Sequence, residues 1–109
     1  MVQEECLMYE FIFTAALGVF LCVIGAINMT GNLRALHKYH YHRVRPEDKI
    51  TFGRLVGIGN IIIGASFMIF SLLMALEFEI VASAVMILGL VIGLGFAFYA
   101  MIKYNKGIF

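Results

Sequence analysis

Three uncharged stretches organise the chain: Phe11 to Met29, Leu55 to Leu76 and Ile80 to Ile102. Each is close to the length of about 20 residues that crosses about 30 Å of hydrocarbon at 1.5 Å per residue. Lipid offers no partner to a free backbone amide, so the pattern predicts three helices. Polarity does not alternate along these runs as barrel strands require. The expected fold is an all-α membrane protein with three transmembrane helices. Residues 1–109 form a single membrane domain, with no internal repeat and no low-complexity tract.

The polar connections refine this plan. Pro46-Glu47-Asp48 reads as a helix start: proline suits the first turn, and two acids favour the positive end of the helix dipole. The second helix is expected to begin near Pro46, ahead of the uncharged run. Leu33, Leu36 and His40 recur at helical spacing. The first helix is therefore expected to continue past Met29, bent at Gly31, to about Tyr41, with the turn at His42 to Arg45. Glu77, Phe78 and Glu79 leave room for only a short turn, so the second and third helices should pack antiparallel.

Composition removes the soluble alternatives. Of 109 residues, 62% are hydrophobic and 14% charged, against about 45–50% apolar and about 25% charged in soluble domains. A soluble chain of this size buries only about 60–70% of its unfolded surface. It could not hide this many apolar side chains from water. A disordered chain and a disulfide scaffold are excluded with it. Cys6 lies in the polar leader and Cys22 inside an apolar run, which reads as two free thiols. The leader carries Glu4, Glu5 and Glu10 and no Lys or Arg, unlike the basic start of a signal peptide. The first span is expected to be retained.

The net charge of +1 gives no signal for nucleic acid, but its distribution is informative. The leader and the 77–79 turn have no Lys or Arg. The connection 30–54 has Arg34, Lys38, Arg43, Arg45, Lys49 and Arg54, and the tail has Lys103 and Lys106. Three spans would put the two basic segments on one side and the two acidic segments on the other. Positive residues favour the cytoplasm, so the N-terminus is expected outside and the C-terminus inside.

Candidate functional residues fall into two groups. Small residues recur at three- and four-residue steps: Gly18, Cys22 and Ala26; then Gly53, Gly57, Asn60, Gly64 and Ser71; then Gly89, Gly93 and Ala97. Such stripes let helix backbones approach closely, which membrane helices need because lipid supplies no hydrophobic drive. Gly57, Asn60, Gly64, Gly89 and Gly93 are the expected helix-packing positions. The Asn60 amide is expected to find an interhelical hydrogen bond. The second group is basic. Arg34, Lys38, Arg43, Arg45 and Lys49, interleaved with Tyr39 and Tyr41, are expected to contact anionic head groups. Arg54 is expected to snorkel from the start of the second span.

No reactive constellation is visible. His37, His40 and His42 lie in one short run, but a zinc site needs three or four convergent ligands and no cysteine accompanies them. No Asp, Glu, Lys, Arg or His lies within the three spans, whereas proton-coupled transporters usually need such groups. No phosphate loop, nucleophile with its base or carboxylate pair suggests an enzyme, and no cofactor is implied.

The run from His42 to Gly64, with its basic loop, acidic pair and glycine-rich second helix, resembles the middle of a family of small bacterial three-span membrane proteins. That family is known as a domain of unknown function. The resemblance implies a bacterial plasma membrane and carries over no catalytic role. The functional expectation is a non-enzymatic membrane protein that works through helix contacts. It would be an accessory or regulatory subunit of a larger partner, or a homo-oligomer in the bilayer. The alternative is an oligomeric channel or transporter element built around a polar stripe.

Overall fold

The computed structural model describes residues 2–33 and 41–107, with side chains from Met8 onward. Among these residues there are three long helices and no strand. Helix α1 spans Val2–Met29, α2 spans Lys49–Ala75 and α3 spans Glu79–Tyr104. A 3-10 turn, Pro46–Asp48, leads into α2. All three helices are long and apolar enough to cross a membrane, over Met8–Met29, Pro46–Ala75 and Glu79–Tyr104. The architecture is all-α with three potential spans, as the hydrophobic pattern predicts.

Helix ends follow local chemistry more than the edges of the apolar runs. The acidic leader belongs to α1, because carboxylates near a helix N-terminus complement its dipole and do not stop it. At the other end α1 stops at Met29 and is not continued through residues 30–33, short of the expected continuation to Tyr41. Gly31 adopts a left-handed backbone with φ 91°. Its N–H donates to the Asn28 carbonyl at 3.0 Å, and the Thr30 hydroxyl to the Ile27 carbonyl at 2.6 Å. A glycine in this conformation takes up the last helix carbonyls and ends the helix. Leu36, Tyr39 and His40 lie outside the described residues. Tyr41–Arg43 form a turn, closed by the Val44 N–H on the Tyr41 carbonyl at 3.0 Å.

The α2–α3 connection is as short as expected. The Phe78 N–H donates to the Leu73 carbonyl at 2.8 Å and the Glu77 N–H to the Met74 carbonyl at 3.0 Å. Glu77 sits between them at φ 68°. This is the paired-bond helix stop normally built with glycine at the left-handed position.

Helix α2 is the middle of the molecule. It packs along α1 on one side and along α3 on the other, within overall dimensions of 54 × 22 × 20 Å. The buried apolar cluster lies at one end, where Leu33 and Val44 of the connection meet Phe52, Val56, Ala100 and Met101. Elsewhere the interfaces are made by small residues. The outer faces of α1 and α3 carry large apolar side chains in the open, with Phe13 68% and Ile80 87% exposed. A bilayer accommodates such faces, and water does not.

Candidate contact faces and the basic end

Two faces of α2 interlock with its neighbours. Toward α1, a Cβ on Gly64 would lie 2.5 Å from the Gly18 carbonyl oxygen and 2.7 Å from the Cys22 sulfur. A Cβ on Gly25 would lie 2.6 Å from the Gly57 carbonyl, and Gly53 sits against the backbone of Asn28. The antiparallel register runs on to Ser71, whose hydroxyl donates to the Phe11 carbonyl at 2.8 Å. Toward α3, a Cβ on Gly93 would lie 2.7 Å from the Gly59 carbonyl, and one on Gly89 would collide with Ser66. Most of these contacts place one helix's backbone where a side chain would have to go, and at Gly89 the Ser66 side chain fills that place. The helices therefore meet at closer range than larger residues allow.

Gly57, Gly64, Gly89 and Gly93 all stand at these contacts, and Ala97 is buried beside them. Ala26 is exposed, and the α1 face runs instead through Gly18, Cys22, Gly25 and Asn28. Asn60 is half-buried, with its Cβ 3.1 Å from where a Gly25 Cβ would stand. It makes no side-chain hydrogen bond within the described residues, because α1 offers it a glycine there and no acceptor side chain. The second α2 face, Val56, Gly59, Ile63 and Ser66, follows the same three- and four-residue steps as the first. That periodicity was its available signal.

Two asparagines matter more than Asn60. Asn28 is fully buried with neither amide atom bonded. Asn105, also fully buried, accepts the Arg43 backbone N–H at 2.8 Å and donates to the Gly107 carbonyl at 2.9 Å. It ties the end of α3 to the connection 62 residues earlier. A polar residue just past a span reads as a solvated helix end, so nothing in the local pattern announced this tie.

Every helical glycine but one is used inside the molecule. Gly95 of α3 has nothing within 4 Å of its missing Cβ. It lies in an open apolar groove of about 320 Å³ lined by Leu55, Ile92, Phe96 and Tyr99.

Charge is segregated by the fold. At one end Glu77 and Glu79 lie beside Phe11 of α1. At the other, Arg43, Arg45, Asp48, Lys103 and Lys106 share one cavity. Lys49 lies apart in a second cavity with Gly31, Asn32 and Tyr41. Arg34, Lys38, His37 and His40 lie outside the described residues, as does the side chain of Cys6. Cys22 is a free thiol whose sulfur reaches the Ile61 carbonyl at 3.7 Å. His42 is exposed, and no three His, Cys, Asp or Glu residues converge among those described. A comparison of the chain with family models, curated proteins and solved structures finds no match in any of the three.

Proposed function

We propose that this chain is a non-enzymatic integral membrane protein that acts through helix–helix contacts. It serves as an accessory or regulatory subunit of a larger membrane protein or as a homo-oligomer. Gly95 carries this reading. The fold spends its other helical glycines on internal contacts and leaves this one open in an apolar groove. A glycine inside a span weakens the helix relative to alanine by about 0.5–1 kcal/mol. A close-packed helix from another subunit offsets that cost, and lipid tails do not. Mass measurement of the protein extracted in mild detergent tests the reading: a complex larger than one chain supports it, and a lone monomer in every mild detergent contradicts it.

The membrane in this reading is a bacterial plasma membrane, in keeping with the resemblance carried by His42 to Gly64. The acidic end faces outward and the basic end inward, following the preference of Lys and Arg for the cytoplasm. Gathering of cations at one end of the bundle and of Glu77 and Glu79 at the other supports it. In a cysteine-free background, Phe78→Cys should react with an impermeant reagent added outside. Reaction only from the cytoplasmic side reverses the topology. On the inner side, Arg43, Arg45 and Lys49, with Arg34 and Lys38 of the same connection, contact anionic head groups. Each contributes about 1 kcal/mol, screened by salt.

A further inference from the structure

Arg43 and Arg45 of the connection meet Lys103 and Lys106 from the end of α3 around a cavity of about 330 Å³, which Asp48 and Tyr104 also line. Four cations thus face one carboxylate. The two lysines are more than 50 residues away in sequence and join the arginines only through the fold. The arrangement is braced from below. Buried Asn105 holds the Arg43 backbone at 2.8 Å with one amide atom and the Gly107 carbonyl at 2.9 Å with the other. Lys106, between Asn105 and Gly107, takes a left-handed backbone at φ 63°.

Little within the described residues competes for Lys103, Lys106 and Arg45. Neither lysine forms an ion pair among the described residues. Lys103 instead rests near aromatic rings: its ammonium is 3.2 Å from the Tyr99 hydroxyl and 5.4 Å from the centre of the Tyr104 ring. Arg45 pairs only loosely with Glu47, at 4.0 Å between side chains 77% and 68% exposed, a geometry of little strength. Two arginines and two lysines lining one cavity suit a phosphate, whose oxygens accept several charge-assisted hydrogen bonds at once. Lys103 stands in the last turn of α3, at head-group depth if α3 spans the bilayer.

We infer that this cavity is a discrete binding site for a phosphate-bearing anion. The inference rests on the head-group reading above and narrows it. It brings in Lys103 and Lys106 and leaves Lys49 out.

Binding to the full-length protein in neutral detergent tests it, with phosphatidic acid, phosphatidylcholine and inorganic phosphate as probes. The parent should bind phosphatidic acid in preference to phosphatidylcholine. The exposed pair Lys103→Gln/Lys106→Gln should weaken that binding at least about tenfold, the equivalent of about 1.4 kcal/mol. Lys49→Gln should change it less than about twofold, as expected for a cation outside the site. Saturable binding of inorganic phosphate without lipid assigns the site to a free anion. Binding of phosphatidic acid alone assigns it to a lipid. Equal losses from Lys49→Gln and from the double variant would make the attraction diffuse, overturning the cavity while the head-group reading stands. No preference for phosphatidic acid, with no effect of any variant, overturns both.

Discussion

The carbonyl oxygen of Gly18 on α1 lies 2.5 Å from the point that a Cβ of Gly64 on α2 would occupy. Backbone fills the space, and it cannot swing aside as a flexible side chain would. Gly64→Leu should therefore force α1 away from α2. Overpacking of this kind costs about 1–3 kcal/mol and more where backbone must move. Thermal unfolding in detergent should show a clear loss. Asn60→Leu on the same face should change stability by about 1 kcal/mol at most. A Gly64→Leu protein as stable as the parent would mean that the two helices do not meet as described.

Asn28 points to the opposite outcome, a stabilising substitution in the core. Its amide is fully buried and unbonded. A buried amide without a partner costs about 1–3 kcal/mol. Asn28→Leu, with the same branching and number of heavy atoms, should raise the unfolding midpoint by the equivalent of about 1 kcal/mol. A lower midpoint would reveal that the amide has a partner in the membrane, such as a buried water.

Glu77 holds the left-handed position of the α2–α3 stop at φ 68°. An L-residue with a Cβ pays about 1 kcal/mol or more for that conformation, and glycine does not. Glu77→Gly should stabilise the hairpin by about 0.5–1 kcal/mol. Loss of stability would contradict the described turn.

Asn105 joins two segments through the oxygen and the nitrogen of one amide. Asn105→Ala leaves the Arg43 N–H and the Gly107 carbonyl to find water. The expected cost is about 1–3 kcal/mol. Hydrogen exchange separates this from a general loss of stability: the Arg43 amide should lose protection while α1 amides keep theirs. Unchanged exchange at Arg43 would show that the tie is not formed in solution.

The spans were legible because their cause is simple: long uncharged runs have one stable form in lipid. The face of α2 through Gly53, Gly57 and Gly64 could be read from helical spacing, since small residues in a row occupy one side. Spacing does not say which neighbour a face meets, and Gly59 and Ser66 were open to the same reading on the other side. The end of α1 was misread because hydrophobic periodicity at Leu33 outweighed Gly31, whose conformation depends on hydrogen bonds and not on hydropathy. Asn105 and the lysines beside it could not be assigned. The partner of Asn105, Arg43, lies 62 residues away, and the lysines reach the cavity of the arginines only through the fold.

Assembly in the membrane depends most on Gly95 being left open for another helix. The direct measurement is the mass of the parent and of Gly95→Leu in the same lipid nanodiscs, each with circular dichroism and thermal unfolding as controls. Because a Cβ at Gly95 meets nothing within 4 Å, the variant should keep the parent's helicity and still unfold cooperatively. The parent should form a complex of defined stoichiometry, with itself or with a larger membrane protein, and Gly95→Leu should leave the chain alone. A parent that stays single, or a Gly95→Leu protein that assembles as the parent does, would contradict the proposed function.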